Sequence, residues 1–151
     1  MRRENIVHMR GGVITERDPE FCTIRTRIPA GVVTPAMLRG IADIADSCQA
    51  PHLHLTTRQT VEIPRVDPGR LDEISRALGE NGTPIGSERD EVVNITACPG
   101  IDRCVFANID SISLAVEIDR RLFGREMPVK VRIAISACPN ACTSPMLNEV
   151  G

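Results

Sequence analysis

Six cysteines are spread along the sequence, and four of them form two pairs. Five residues separate Cys98 from Cys104, and three separate Cys138 from Cys142. Each pair follows a predicted strand, so four thiolates from two loops could surround an iron-sulfur cubane. Structural zinc sites usually have about two to four residues within each pair. The spacing therefore favours a [4Fe-4S] cluster and leaves a zinc-stabilised structural module open.

Composition and charge exclude several classes of protein. The net charge of -2 gives no reason to expect nucleic acid or an anionic membrane as a partner. No stretch is apolar over the length of a membrane span, and the first residues, Met1 to Asn5, lead into no apolar signal region. Cysteines in such a chain indicate metal or redox chemistry in the cytoplasm. Cys22 and Cys48 lie outside the pairs and are interpreted as buried small hydrophobic residues.

The first half of the sequence predicts a strand, a helix, a hairpin and a second helix. These are the strand Cys22 to Ile28, a helix capped by Thr34 that starts at Pro35 and ends before Pro51, the hairpin strands His52 to Thr56 and Thr60 to Ile63, and a helix from Asp67 to Gly79. This order is typical of a ferredoxin-like unit, so the predicted fold class is α+β.

A run of turn-forming residues from Asn81 to Ser87 separates this unit from a second one. We place a ferredoxin-like domain at residues 1–88 and an α/β domain with the cysteine loops at residues 89–151. The second domain is predicted to contain the strand Val92 to Ala97, a helix from Asn108 to Phe123 buried on two sides, and the strand Val129 to Ser136. Its sheet looks incomplete, so we expect a missing C-terminal part or a partner.

Four segments resemble those of the sirohaem-containing nitrite and sulfite reductases, in the family's order. Thr96-Ala97-Cys98-Pro99-Gly100 with Cys104, and Ser136-Ala137-Cys138-Pro139-Asn140-Ala141-Cys142, resemble its paired cysteine signature. Ile24-Arg25-Thr26-Arg27-Ile28-Pro29-Ala30-Gly31 and Leu55-Thr56-Thr57-Arg58-Gln59 resemble its sirohaem-contacting segments. The resemblance implies a [4Fe-4S] cluster on the four paired cysteines and a sirohaem whose iron shares the Cys142 thiolate.

Three arginines lie in the segments that resemble the sirohaem-contacting ones. Sirohaem carries peripheral carboxylates, and guanidinium groups bind carboxylates through two parallel hydrogen bonds. Arg25 and Arg27 share one face of a predicted strand, and Arg58 lies in the hairpin turn. The resemblance implies that all three bind sirohaem, and we expect them to point into one concave surface on the cysteine side. Without the resemblance they would be interpreted as solvated surface charges.

Two further cations precede the second cysteine pair. Lys130 and Arg132 share the strand face that ends at Cys138. In the family that the sequence resembles, a Lys-x-Lys at this place helps to bind and protonate the substrate oxyanion, which implies that Lys130 and Arg132 are catalytic residues. Lys130 matches this pattern, and Arg132 departs from it but keeps the charge, although an arginine is a poor proton donor. Val93 departs from the family, which often has an arginine there in contact with the oxyanion. Arg89 is a candidate substitute.

The leading hypothesis from the sequence is six-electron reduction of sulfite or nitrite at a coupled sirohaem and [4Fe-4S] centre. Electrons would come from a donor such as ferredoxin, and pseudo-twofold or homo-oligomeric pairing is expected because large family members contain two copies of the unit. The alternatives are a non-catalytic electron-transfer or cofactor-binding homologue, suggested by Val93, and the zinc module. His52 and His54 are interpreted as a polar strand face because no third metal ligand is evident.

Overall fold

The chain divides into two compact units, which we describe separately. The computed structural model describes residues 11–151, so the segment Met1 to Asn5 lies outside it. Unit 1 comprises two segments, the chain up to Ile28 and Val33–Gly86. Unit 2 comprises Pro29–Val32 and Ser87–Gly151. No helix of the described residues is long and apolar enough to cross a membrane.

Unit 1 is an antiparallel sheet with two helices, which confirms the α+β fold class. Its elements are β1 (Val13–Thr15), β2 (Cys22–Arg25), α1 (Pro35–Ser47), β3 (His54–Leu55), β4 (Val61–Val66) and α2 (Leu71–Glu80). The strands are ordered β1-β2-β4-β3, and each neighbouring pair is antiparallel. The predicted order of strand, helix, hairpin and helix is present, and β1 is an additional strand that the sequence analysis did not predict.

Side-chain alternation and helix capping explain how unit 1 forms. Along β2 the side chains of Cys22 and Ile24 are buried, and those of Thr23 and Arg25 are half-buried on the other face. The hydroxyl of Thr34 accepts the Met37 N–H at 3.1 Å, so it caps α1 as predicted. The core consists of aliphatic side chains from both helices and the sheet, including Ile24, Ile41, Ile63, Ile74 and Leu78.

Unit 2 contains two short parallel strands and one helix between them in sequence. Its elements are β5 (Thr96–Ala97), α3 (Ser111–Leu122) and β6 (Ala134–Ile135). Both strands are shorter than predicted because the ladder is interrupted. Val92 pairs with Val131, and Thr96 pairs with Ala134. Between these two pairs the first segment advances by four residues and the second by only three. This mismatch is a bulge, and it breaks the regular hydrogen bonding.

Helix α3 starts later than predicted and is buried on one side only. The carboxylate of Asp110 accepts the Ser113 N–H at 2.9 Å, so the cap fixes the helix start at Ser111 and not at Asn108. Ile112, Ile118 and Leu122 pack against the core of unit 2. Leu114 and Val116 are exposed, so the prediction of a helix buried on two sides was wrong.

Candidate iron-sulfur site and basic residues

The two cysteine loops are joined to each other by hydrogen bonds. The loops follow the carboxyl ends of β5 and β6. Because these two strands are parallel, both loops begin at the same end of the sheet. The Cys98 N–H donates to the Ile135 carbonyl at 3.1 Å, and the Asn108 N–H donates to the Ala137 carbonyl at 2.9 Å. The Ala137 N–H in turn donates to the Cys98 sulfur at 3.2 Å. The fold therefore holds the first loop against the second.

Cys98 has the surroundings of a thiolate ligand. Its side chain is buried, and its sulfur lies 3.4 Å from the Ser111 hydroxyl oxygen. Burial raises the pKa of the Cys98 thiol, but hydrogen bonds from Ser111 and from the Ala137 and Gly100 backbone amides outweigh it, so the pKa lies below its ordinary value. Donors that favour a thiolate also favour bonding to iron, and this donor set fits an iron-sulfur cluster.

The other three paired cysteines are more accessible than Cys98. Cys104 and Cys138 are half-buried, and Cys142 is exposed. The Cys104 N–H donates to the Gly100 carbonyl, and the Cys138 carbonyl accepts the Ala141 N–H. Within residues 11–151 no group of three or more His, Cys, Asp or Glu side chains is arranged to hold a metal ion. That all four cysteines surround one cluster remains a prediction.

Lys130 and Arg132 each form an ion pair with a different segment of unit 2. The Lys130 ammonium pairs with Glu88. Arg132 donates from Nη2 to the Glu149 carboxylate at 2.6 Å, and its backbone N–H donates to the same carboxylate at 2.7 Å. The hydrogen bonds from Arg132 lower the pKa of Glu149 to about 2. An oxyanion would therefore have to compete with a carboxylate at both cations.

Val93 is buried in unit 2. Its side chain is 2% exposed, and its backbone N–H donates to the Val131 carbonyl at 3.1 Å. Arg89 is exposed and has a positive φ of 71°. Nothing in the geometry directs the Arg89 side chain to the role that we suggested for it.

In unit 1, Arg25 lies in a hydrogen-bonded cluster with Glu62 and His54. Arg25 donates to Oε1 of Glu62 from Nε at 2.9 Å and from Nη2 at 2.6 Å. The Nδ1 atom of His54 lies 2.6 Å from Oε2 of the same carboxylate. Burial raises the pKa of Glu62, but the bonds to His54 and Arg25 outweigh it, so the pKa lies below its ordinary value. A charged Glu62 therefore fixes the Arg25 guanidinium.

Arg27 and Arg58 are both half-buried in unit 1. The Arg27 backbone N–H donates to the Pro84 carbonyl at 2.7 Å. Arg58 lies in the turn between β3 and β4, where its N–H donates to the Thr56 hydroxyl at 3.2 Å. The turn is closed by the Thr56 N–H, which donates to the Thr60 carbonyl at 3.0 Å. The convergence of the three arginines on one concave surface remains a prediction.

The sequence analysis missed three side chains that contact the candidate residues. Ser111, Glu62 and Glu149 contact Cys98, Arg25 and Arg132, and they are 13, 37 and 17 residues away in sequence. Only Ser111 had a local signal, because a serine beside Asp110 is typical of a helix start. That signal predicts a cap and gives no hint of the contact with Cys98.

Comparison with known proteins gives two matches in sequence order. Residues 14–81 match the nitrite/sulfite reductase ferredoxin-like half domain. Residues 88–151 match the nitrite and sulphite reductase 4Fe-4S domain, so the iron-sulfur class of the site agrees with the family.

Two curated relatives and one solved structure illustrate the similarity. The coenzyme F420-dependent sulfite reductase of Methanocaldococcus jannaschii is 33% identical over 87% of this chain and 21% of its own length. The assimilatory-type sulfite reductase of Nitratidesulfovibrio vulgaris is 28% identical over 93% of this chain and 63% of its own. The crystal structure of dissimilatory sulfite reductase I superposes with a TM-score of 0.80 at 25% identity, over 90% of this chain and 35% of that one.

The chain thus spans less than two thirds of the length of these relatives. The two matched domains and the matched structure all belong to one family of oxidoreductases. This chain belongs to the nitrite and sulfite reductase family.

Proposed function

We propose that this chain takes part in the six-electron reduction of sulfite or nitrite at a coupled sirohaem and [4Fe-4S] centre. In this proposal Cys98, Cys104, Cys138 and Cys142 would hold the cluster, and Cys142 would also serve as a ligand for sirohaem. The observation that carries it is the Cys98 sulfur, which accepts a hydrogen bond from Ala137 of the second cysteine loop. When bound, the two groups would supply electrons to the substrate.

Each unit has its own part in the proposed function. In this proposal the predicted domain 1–88, most of which lies in unit 1, contacts sirohaem, and the predicted domain 89–151, which lies in unit 2, holds the cluster. Arg25, Arg27 and Arg58 bind the sirohaem carboxylates through their guanidinium groups. The contact between Arg25 and Glu62 supports this role because it holds the Arg25 guanidinium in one orientation.

Lys130 and Arg132 bind the substrate oxyanion in our proposal. Arg132 supplies a fixed positive charge, and Lys130 supplies the group that is able to release a proton. Their present partners, Glu88 and Glu149, are carboxylates, which supports the capacity of both cations to accept an anion. Substrate binding then includes the exchange of each carboxylate for the oxyanion.

The electron donor is a small electron-transfer protein such as ferredoxin, and the compartment is the cytoplasm. A reducing compartment keeps cysteine thiols available for iron, which supports this location. Pairing of two such chains, or of this chain with a second copy of the unit, is part of the proposal, because the family that the sequence resembles has large members with two copies of the unit.

A non-catalytic electron-transfer or cofactor-binding homologue is the second candidate function. Val93 favours it, because the buried valine offers no charge to an oxyanion. The ion pairs of Lys130 and Arg132 also favour it if they persist when sulfite or nitrite is present. Reduction of either anion by the loaded protein separates the two functions.

The test of the proposed function is the cofactor content of anaerobically purified protein. We expect an absorption spectrum with sirohaem and cluster bands, and sirohaem in the solvent extract. Replacement of Arg25, Arg27 and Arg58 together by alanine should lower the sirohaem content and leave the iron and sulfide content largely unchanged. The matched control replaces the exposed arginines Arg39, Arg76 and Arg120 by alanine.

Equal sirohaem content in the wild-type protein and the first triple variant would contradict the arginine assignment. A wild-type protein that binds zinc and takes up neither sirohaem nor iron would contradict the proposed function as a whole.

A further inference from the structure

The hydroxyl of Ser111 contacts two atoms of Cys98. Ser111 is the first residue of α3 and has no exposed surface. Its hydroxyl donates to the Cys98 carbonyl oxygen at 2.8 Å, and the same hydroxyl oxygen lies 3.4 Å from the Cys98 sulfur. Helix capping does not require this hydroxyl, because the neighbouring Asp110 carboxylate accepts the Ser113 N–H. A buried hydroxyl without a capping role therefore faces one predicted cluster ligand.

The backbone around Ser111 leaves space for this contact. Gly100 has a positive φ of 66°, and a Cβ atom built there would lie 2.7 Å from the Ser111 oxygen. A larger residue at position 100 would push the hydroxyl away from its place. The Ala137 N–H also donates to the Cys98 sulfur, at 3.2 Å. The Cys98 sulfur thus contacts both a backbone donor from the second loop and a hydroxyl from α3.

We propose that Ser111 is a positioning residue that holds the Cys98 thiolate for the cluster and raises the reduction potential of that cluster. The inference rests on the proposed function, which makes Cys98 a ligand. Once the sulfur is a thiolate, its negative charge attracts the hydroxyl proton more strongly than the neutral carbonyl oxygen does. Hydrogen bonds to ligand sulfurs stabilise the more negative, reduced cluster, and the potential rises as a result.

The redox step concerned is the uptake of one electron by the cluster. No bond is formed or broken in this step, and dithionite supplies the electron in the test. Ser111 exchanges no electron and transfers no proton. Its effect is on the equilibrium between the oxidised and the reduced cluster, which a redox titration measures without any turnover.

The experiment compares four forms of the full chain, each reconstituted anaerobically with iron and sulfide. They are the wild-type protein, Ser111→Ala, Ser111→Thr and the control Ser113→Ala, whose serine is exposed on the same helix. Iron and sulfide content is measured first, and the potential is then determined by titration with dithionite followed by electron paramagnetic resonance. Ser111→Thr keeps the hydroxyl and adds a methyl group, so it reports the effect of crowding alone.

We expect Ser111→Ala to lower the ratio of reduced to oxidised cluster about tenfold at a fixed potential, a shift of about 59 mV to more negative values. Ser111→Thr and Ser113→Ala should keep the wild-type potential. Loss of the cluster from Ser111→Ala while Ser111→Thr retains it would also support the inference, because the hydroxyl would then be needed to hold Cys98.

Equal potentials in loaded wild-type and Ser111→Ala protein would overturn the inference and leave the proposed function intact. An equal shift in Ser111→Ala and Ser111→Thr would overturn it as well, because packing would then explain the effect. A wild-type protein that takes up no cluster would overturn both the inference and the proposed function.

Discussion

Replacement of Glu62 by glutamine tests the cluster that fixes Arg25 in unit 1. The Glu62 carboxylate accepts two hydrogen bonds from Arg25 and contacts His54 at 2.6 Å. Glutamine has a similar shape but carries no charge, and its amide N–H₂ group faces Arg25 or His54. The variant therefore removes the charge of the carboxylate while it changes the packing little.

The size of the effect follows from the burial of this pair. The side chains of Arg25 and Glu62 are 17% and 11% exposed, so solvent screens their interaction only partly. A hydrogen bond to a charged group contributes about 1.5–3 kcal/mol, and one neutral acceptor oxygen remains in the glutamine. We therefore expect Glu62→Gln to lower the free energy of unfolding by about 2 kcal/mol at pH 7.

Urea unfolding followed by far-ultraviolet circular dichroism measures this change. The sequence has no tryptophan and no tyrosine, so intrinsic fluorescence is a poor probe. Glu73→Gln is the matched control, because Glu73 also pairs with an arginine, Arg70, but does so at the surface of α2. The control should cost much less than Glu62→Gln because exposed ion pairs contribute little.

Acidification provides a second check on Glu62. Its folded pKa lies below its ordinary value of 4.5, so the carboxylate stabilises the fold above that value and loses this contribution as the pH falls through the folded pKa. The difference between the wild-type protein and Glu62→Gln should be complete at pH 7 and shrink below pH 4.5. A difference under about 0.5 kcal/mol at pH 7, within the range of ordinary surface changes, would refute the reasoning. So would a difference that grows in acid.

Two further predictions concern the stability of α1. Ile41→Ala should lower the free energy of unfolding by about 2–5 kcal/mol in the same urea assay, because Ile41 has no exposed surface, whereas Leu38→Ala, 44% exposed, should cost far less. Thr34→Ala should cost about 1 kcal/mol through loss of the cap on the Met37 N–H, and Thr34→Ser should restore most of it. Equal losses of unfolding free energy in Ile41→Ala and Leu38→Ala would contradict the packing of Ile41. Equal losses in Thr34→Ala and Thr34→Ser would contradict the cap.

Features that depend on neighbouring residues were predictable from the sequence. The Thr34-Pro35 pair located the start of α1 because capping involves residues within one turn. The two cysteine pairs and the strands before them were also identified from short stretches of sequence, the pairs by their spacing and the strands by their apolar residues. The three-residue strand β1 was missed, since so short a segment has no clear alternation and is stabilised by its pairing with β2.

Features that depend on tertiary contacts were not predictable. The apolar residues Leu114 and Val116 have helical spacing, but their burial depends on whether another element covers them. The partners of Arg25 and Arg132 are far away in sequence, and no local pattern connects a cation with one particular carboxylate. The sequence therefore identified candidate residues by their type and spacing and missed the tertiary contacts that hold them.

The central claim is that four cysteines hold one [4Fe-4S] cluster, and single cysteine-to-serine variants test it most directly. Each of Cys98, Cys104, Cys138 and Cys142 is replaced in turn, and Cys48→Ser is the control because Cys48 lies outside the two loops. Iron and acid-labile sulfide per chain are measured after anaerobic reconstitution, with electron paramagnetic resonance of the dithionite-reduced protein. We predict four irons and four sulfides per chain in the wild-type protein and in Cys48→Ser, and a large loss in each of the other four variants. Full cluster content in any of those four variants would contradict the assignment of that cysteine, and full content in all of them would contradict the account.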